Sequence, residues 1–164
     1  MKPLSASVEL PCDVETTYAT LTGPWWPELM AERLHDGSAL VEAAPTADGG
    51  ARLVVSRRLP EGTPGFLSAL LPQDGRVTQT DVWGPAGDGA RRGTWSATFP
   101  GSPAALSGQT TVEPTAGGSR WTVRGSVTVK VPLVGGRAEG FLAPLVERLV
   151  QRQGEVLREA VSRA

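Results

Sequence analysis

The sequence predicts an α+β domain: a curved antiparallel sheet of about six or seven strands wrapped around one long C-terminal helix. Three observations predict it. From Ser119 to Val131 the chain alternates strictly, with Trp121, Val123, Gly125, Val127, Val129 and Val131 on one face and Thr122, Arg124, Ser126, Thr128 and Lys130 on the other. That is the period-2 signature of a strand with one buried face. Pro132-Leu133-Val134-Gly135-Gly136 breaks the pattern, and beyond it Ala138, Phe141, Leu142, Leu145, Val146, Leu149 and Val150, then Val156, Leu157, Ala160 and Val161, recur at helical spacing. Upstream, apolar runs are separated by short Gly- and Pro-containing turns, a pattern that pairs consecutive strands antiparallel.

Taken in order, Ser5 to Leu10 reads as a first strand ending at Pro11. Asp13 is placed to cap a helix running to Thr22, with Val14, Tyr18 and Leu21 on its apolar face, and Gly23-Pro24 stops it. Pro27 opens a second short helix carrying Leu29, Met30 and Leu34, with Asp36-Gly37 as its stop. Ser38 to Ala44 and Gly50 to Leu59 flank the hairpin turn Asp48-Gly49-Gly50. Glu61 to Asp74 reads as an inserted helix or lid, with Phe66, Leu67, Leu70 and Leu71 as its apolar patch. Gly75 to Trp83 and Ala90 to Phe99 form another hairpin, Leu106 to Glu113 a further strand, and Gly117-Gly118 turns into the last one. The final helix, at ~1.5 Å per residue, would run about 40 Å, close to the diameter of a domain this size.

The 164 residues suit one domain, spanning 1–164. A single cysteine, Cys12, excludes an internal disulfide, and a single histidine, His35, argues against a zinc site of ordinary type. No cofactor is expected. Lys+Arg 16 against Asp+Glu 17, with no basic stripe, disfavours nucleic-acid binding. Nothing at the N-terminus resembles a signal peptide and no stretch is long and apolar enough to span a membrane, so the expected location is the cytoplasm, without integral membrane association.

This element order resembles the helix-grip arrangement of the START / Bet v 1-like (SRPBCC) superfamily. The resemblance sharpens for one mostly bacterial branch, the family known as domain of unknown function 2505. It is carried by Val82-Trp83-Gly84, Gly93-Thr94-Trp95, Pro100-Gly101-Ser102-Pro103 with Gly108, and above all by Val129-Lys130-Val131-Pro132-Leu133-Val134-Gly135-Gly136 with Glu139 after it. Pro144 and Gly154, within the final helix, depart from that pattern. The resemblance implies a cavity between sheet and helix holding a lipid, sterol, polyketide or other hydrophobic molecule. Some superfamily members are cyclases or hydrolases, but the branch carries no catalytic set to transfer.

The expected ligand-binding wall is Trp95, Phe99, Trp121, Val123, Val127, Phe141, Leu145 and Leu149, with Arg57 and Asp81 setting orientation. Strand parity turns one of Arg57 and Arg58 inward. An inward arginine needs an anionic partner, a ligand carboxylate or Asp81; the alternative is that both reach solvent at a strand end. Indole N–H groups of Trp83, Trp95 and Trp121 either orient a ligand or simply pack in the core. Trp25-Trp26 forms either a membrane-touching tip or a plug at the end of the barrel. Pro144 either kinks the helix or sits in the first turn of one starting near Phe141. His35 reads as a helix-end surface residue, Cys12 as a small buried hydrophobe, and Glu147, Arg148, Arg152, Glu155, Arg158 and Glu159 as a solvated face. Two further readings stand beside the binding protein: a cyclase, dehydratase or hydrolase on the same fold, and an interaction module using a sheet edge or the Phe66–Leu71 segment.

Overall fold

A computed structural model of the chain describes residues 1–58, 65–70 and 75–162. The elements are β1 (Lys2–Leu10), α1 (Val14–Leu21), α2 (Trp26–Leu34), β2 (Ala39–Pro45), β3 (Ala51–Arg58), α3 (Gly65–Ser68), β4 (Arg76–Trp83), β5 (Arg91–Thr98), β6 (Ala104–Thr115), β7 (Gly118–Val129) and α4 (Gly135–Ser162). Local chemistry sets their ends. The Asp13 carboxylate accepts the Thr16 N–H at 2.8 Å and caps α1. Pro27 stands in the first turn of α2, and His35, left-handed at φ 54, closes it two residues before Gly37. Leu59 and most of the Glu61–Asp74 insertion, including Leu71, lie outside the described residues. Within it Leu67 is buried in the main core rather than displayed as a patch.

All seven strands join one antiparallel sheet in the order β1-β7-β6-β5-β4-β3-β2. The first strand thus pairs with the last, Leu4 opposite Gly125 and Val8 opposite Trp121. Leu4, Ala6, Val8 and Leu10 on β1 and Val123, Val127 and Val129 on β7 turn one face to the interior. Against them α4 lays Ala138, Leu142, Val150, Leu157 and Val161. Burying each of these leucines and valines contributes roughly 1.5–3 kcal/mol. The fold is the helix-grip arrangement: a long helix held in the concave face of a sheet.

The helix corrects three expectations. It begins at Gly135, so Pro144 lies deep inside it, not in a first turn. The carbonyl of Gly140 therefore has no donor four residues on. Gly154 is a contact, not merely a weak point: a Cβ there would come within 2.3 Å of Val8 Cγ2, so the glycine lets helix and sheet approach. Finally, the charged face is only partly solvated. Glu147 accepts the Ser5 N–H at 2.9 Å, Gln151 donates to the Ser7 carbonyl at 3.1 Å, and Arg158 donates to the Glu9 carbonyl at 3.1 Å. These side chains close the outer edge of β1, which would otherwise offer unpaired backbone groups to another strand.

The junction before α4 is equally specific. β7 ends at Val129, two residues earlier than the alternation suggests, and there Glu139 accepts the Val129 N–H at 2.9 Å. The other Glu139 oxygen meets the Met1 amino group at 2.8 Å, and both contacts hold its carboxyl below the usual range. A Cβ on Gly135 would sit 2.3 Å from the Val129 carbonyl oxygen, so this tight turn requires glycine.

Candidate functional site

Because α4 packs on β1 and β7, the inward faces of β3 to β6 are left partly uncovered. The space there divides into two adjoining chambers. The outer one, about 690 Å³, has an apolar wall built by Val77 of β4, Ala97 of β5, the adjoining Phe99, Leu106 of β6, and Leu142 and Leu145 of α4. Its volume lies in the range of small-molecule pockets. The inner one, about 80 Å³, is bounded by Trp26 and Met30 of α2, Leu53, Asp81, Trp83 and Trp121, among others. It has room for about two or three water-sized groups. Arg57, Gln79, Trp95, Val146 and Leu149 border both chambers and form the waist between them.

Trp95 is positioned by glycine. Along one row across the sheet stand Asp81, Trp95, Gly108 and Gly125. A Cβ on Gly125 would fall 2.8 Å from the Trp95 ring. The indole lies across this bare backbone and donates its N–H to the Arg124 carbonyl at 3.0 Å. Trp121 likewise donates to the Thr110 hydroxyl at 3.0 Å. These two N–H groups are committed to the protein; that of Trp83 is buried without a partner. Trp26 is buried and closes the inner end as a plug, while Trp25 is 47% exposed.

Parity resolves the arginine pair: Arg57 shares its face with Leu53 and Val55, which also border the inner chamber. Arg58 folds across Gly37 and reaches the rim of the outer one. Arg57 has no ion pair or hydrogen bond with another described residue, Asp81 included, and its Nε is buried unpaired. Burial lowers its pKa, opposed by the charges of Asp36 and Asp81. Burial likewise pushes the Asp81 carboxyl up, opposed by a hydrogen bond from Gln79 Nε2 (3.0 Å to Oδ1) and by Arg57. Asp36 Oδ2 and Ser38 Oγ are also buried without partners.

The ten residues expected from the sequence distribute unevenly. Phe99 and Leu145 border the outer chamber, Asp81, Trp121 and Val123 the inner one, and Arg57, Trp95 and Leu149 both. Val127 and Phe141 border neither. Val127 is fully buried on the part of β7 that α4 packs against, and Phe141 packs against the core from a half-buried helix position. Parity and helical spacing assign a face, but not the part of that face another element covers. Gln79 and Val77 share Asp81's parity and were legible in principle. Asp36 and Ser38, brought in by the segment after α2, carried no such signal. The Cys12 thiol meets the Thr17 hydroxyl, Sγ to Oγ1 at 3.0 Å. Among the described residues no group of three His, Cys, Asp or Glu side chains is placed to hold a metal ion, and no helix is long and apolar enough to cross a membrane.

A family model described as "Protein of unknown function (DUF2505)" matches residues 5–161. An uncharacterized protein of Mycobacterium tuberculosis is 26% identical over 133 residues, covering 77% of this chain and 76% of its own. Among solved structures, a di-domain ARO/CYC, StfQ, from the steffimycin biosynthetic pathway superposes with a TM-score of 0.67 at 15% identity, over 98% of this chain and 50% of its own. A START superfamily protein from Mycobacterium smegmatis superposes with a TM-score of 0.55 at 13% identity, over 99% of both chains. At such identities the structural likeness is one of fold.

Proposed function

The chain belongs to the DUF2505 family, on a START-like helix-grip fold, and we propose that it binds one apolar or amphipathic small molecule between its sheet and α4. The observation that supports this is the 690 Å³ outer chamber with its aromatic and aliphatic wall. Burying a ligand there would yield roughly 25 cal/mol per Å² of apolar surface removed from water. Arg57, Trp95, Phe99, Leu145 and Leu149 are the wall residues assigned to contact it, with Asp81, Trp121 and Val123 behind them. In this reading the protein works in the cytoplasm and needs no cofactor. Native mass spectrometry of the purified protein, followed by solvent extraction, tests it: a stoichiometric hydrophobic adduct is expected. A protein that arrives empty and takes up no lipid, sterol or aromatic polyketide probe would sink the idea.

A second reading is an enzyme of the cyclase, dehydratase or hydrolase kind. It draws support from Asp81, whose carboxyl is pushed up by burial beside a chamber carrying unpaired polar atoms. The likeness of fold to StfQ, an ARO/CYC of the steffimycin biosynthetic pathway, offers polyketides as the first substrates to try. Under this reading Asp81→Asn abolishes turnover while leaving ligand uptake intact.

A further inference from the structure

We propose that the ligand carries a carboxylate, which docks head-inward on the Arg57 guanidinium at the waist while its apolar body fills the outer chamber. The inference rests on the binding reading above and narrows its ligand class.

Three observations carry it. First, Arg57 is an interior cation with no ion pair or hydrogen bond from any described residue, and its Nε is buried unpaired. An arginine stays charged, so a guanidinium whose Nε is buried without an acceptor holds an unmet desolvation cost that a planar, bidentate anion offsets. Second, the charges on the outer chamber are lopsided: Arg57, Arg58 and Arg152 against Asp36. Neither Arg58 nor Arg152 forms an ion pair with a described residue, so Asp36 is outnumbered where it opposes a ligand anion. Third, the apolar wall stands on the outer side of Arg57, while the inner chamber is too small for a hydrocarbon chain. A head group at the waist therefore leaves its tail only the outer chamber. At roughly 30 Å³ per water-sized group, 690 Å³ accommodates on the order of twenty heavy atoms, the size of a long-chain acid. Asp81, facing the inner chamber, is weakened as a competing anion because burial favours its neutral form.

The test compares myristate, methyl myristate and myristyl alcohol on the full chain, by quenching of tryptophan fluorescence and by calorimetry. Myristate is expected to bind about 10- to 100-fold more tightly than the ester or alcohol, the ratio for a charge-assisted hydrogen bond in place of a neutral one. Arg57→Met is expected to remove that preference, weakening myristate by the same factor and leaving the ester within about threefold. The ligand-side comparison needs no variant, so it stands if Arg57→Met folds poorly. Equal affinity of acid and ester for the wild-type protein overturns the carboxylate assignment and leaves the cavity reading intact. Failure of all three to bind overturns the carboxylate assignment, and the cavity reading falls with it when sterol and aromatic polyketide probes also fail to bind. A myristate preference that survives in Arg57→Met overturns the role of Arg57, with Arg58 and Arg152 at the rim as the remaining cations.

Discussion

Arg57 and Asp81 show how one residue's environment outweighs its type. Both project from strands into a space bounded by tryptophan and leucine, and burial acts on each before any partner does. For Asp81 the sign follows directly. Its native pKa lies above the ordinary 3.8, so as pH rises through 3.8 the unfolded chain ionises first and the native state loses stability. The loss builds as pH rises from 3.8 toward the native value and is present at neutrality. Asp81→Asn keeps a hydrogen-bond acceptor for Gln79 and removes the carboxyl whose ionisation burial opposes. It is expected to raise Tm at pH 7 by a few degrees, at about 2–4 °C per kcal/mol. The advantage should vanish toward pH 3.5 in thermal melts. A variant that melts lower at pH 7 would mean that the attraction to Arg57 outweighs burial. Trp95 and Trp121 make a related point: a buried indole N–H is seldom idle, and here Arg124 and Thr110 satisfy them within the sheet.

At the scale of elements, α4 does two jobs with neighbouring faces. Its apolar stripe packs on β1 and β7, and Glu147, Gln151 and Arg158 bind the backbone at the free edge of β1. The tightest point between helix and sheet is Gly154 against Val8. Alanine there gains up to about 1 kcal/mol of helix propensity but drives a methyl into a buried, β-branched side chain that cannot rotate away. Overpacking of this kind costs about 1–3 kcal/mol, so the clash wins. Gly154→Ala is expected to lower the urea midpoint, and Val8→Ala in the same chain to recover part of the loss. A double-mutant cycle should give a favourable coupling on the order of 1 kcal/mol; strictly additive effects would show that the two residues are not in conflict. Pro144 costs α4 one hydrogen bond at the carbonyl of Gly140, an exposed position where water can replace the lost donor.

The whole molecule is a sheet held at one side by its helix and left open at the other. Since α4 covers β1 and β7, the chamber falls over β3 to β6, walled by side chains that already belong to the core, Trp95, Phe99, Leu106 and Leu142 among them. Filling the chamber should therefore stabilise the fold without rebuilding it. A ligand held at about 100 times its Kd contributes about 2.7 kcal/mol, or a Tm rise of roughly 5–10 °C for a domain of this size. Leu145→Trp, which puts an indole into the outer chamber, is expected to abolish that rise in scanning fluorimetry. An unchanged rise would locate the ligand elsewhere.

Order and kind of element were legible because they depend on local period. Strict alternation up to β7, a helical stripe after Gly136 and Gly- or Pro-marked turns each act within a few residues, and together they determined the helix-grip fold and the inward parity of Trp95, Trp121 and Asp81. The extent of the cavity depends on where the last helix lies on a sheet whose strands come from the whole length of the chain, and no local pattern encodes that. Tertiary structure alone decided that Val127 is sealed off from the chambers while Leu142 and Val146 border them. It decided that Glu147 and Arg158 face an edge strand rather than open water. It also decided that Arg57 has neither ion pair nor hydrogen bond among the described residues, because a charge's partner is set by proximity in space and parity fixes only the side from which it must come.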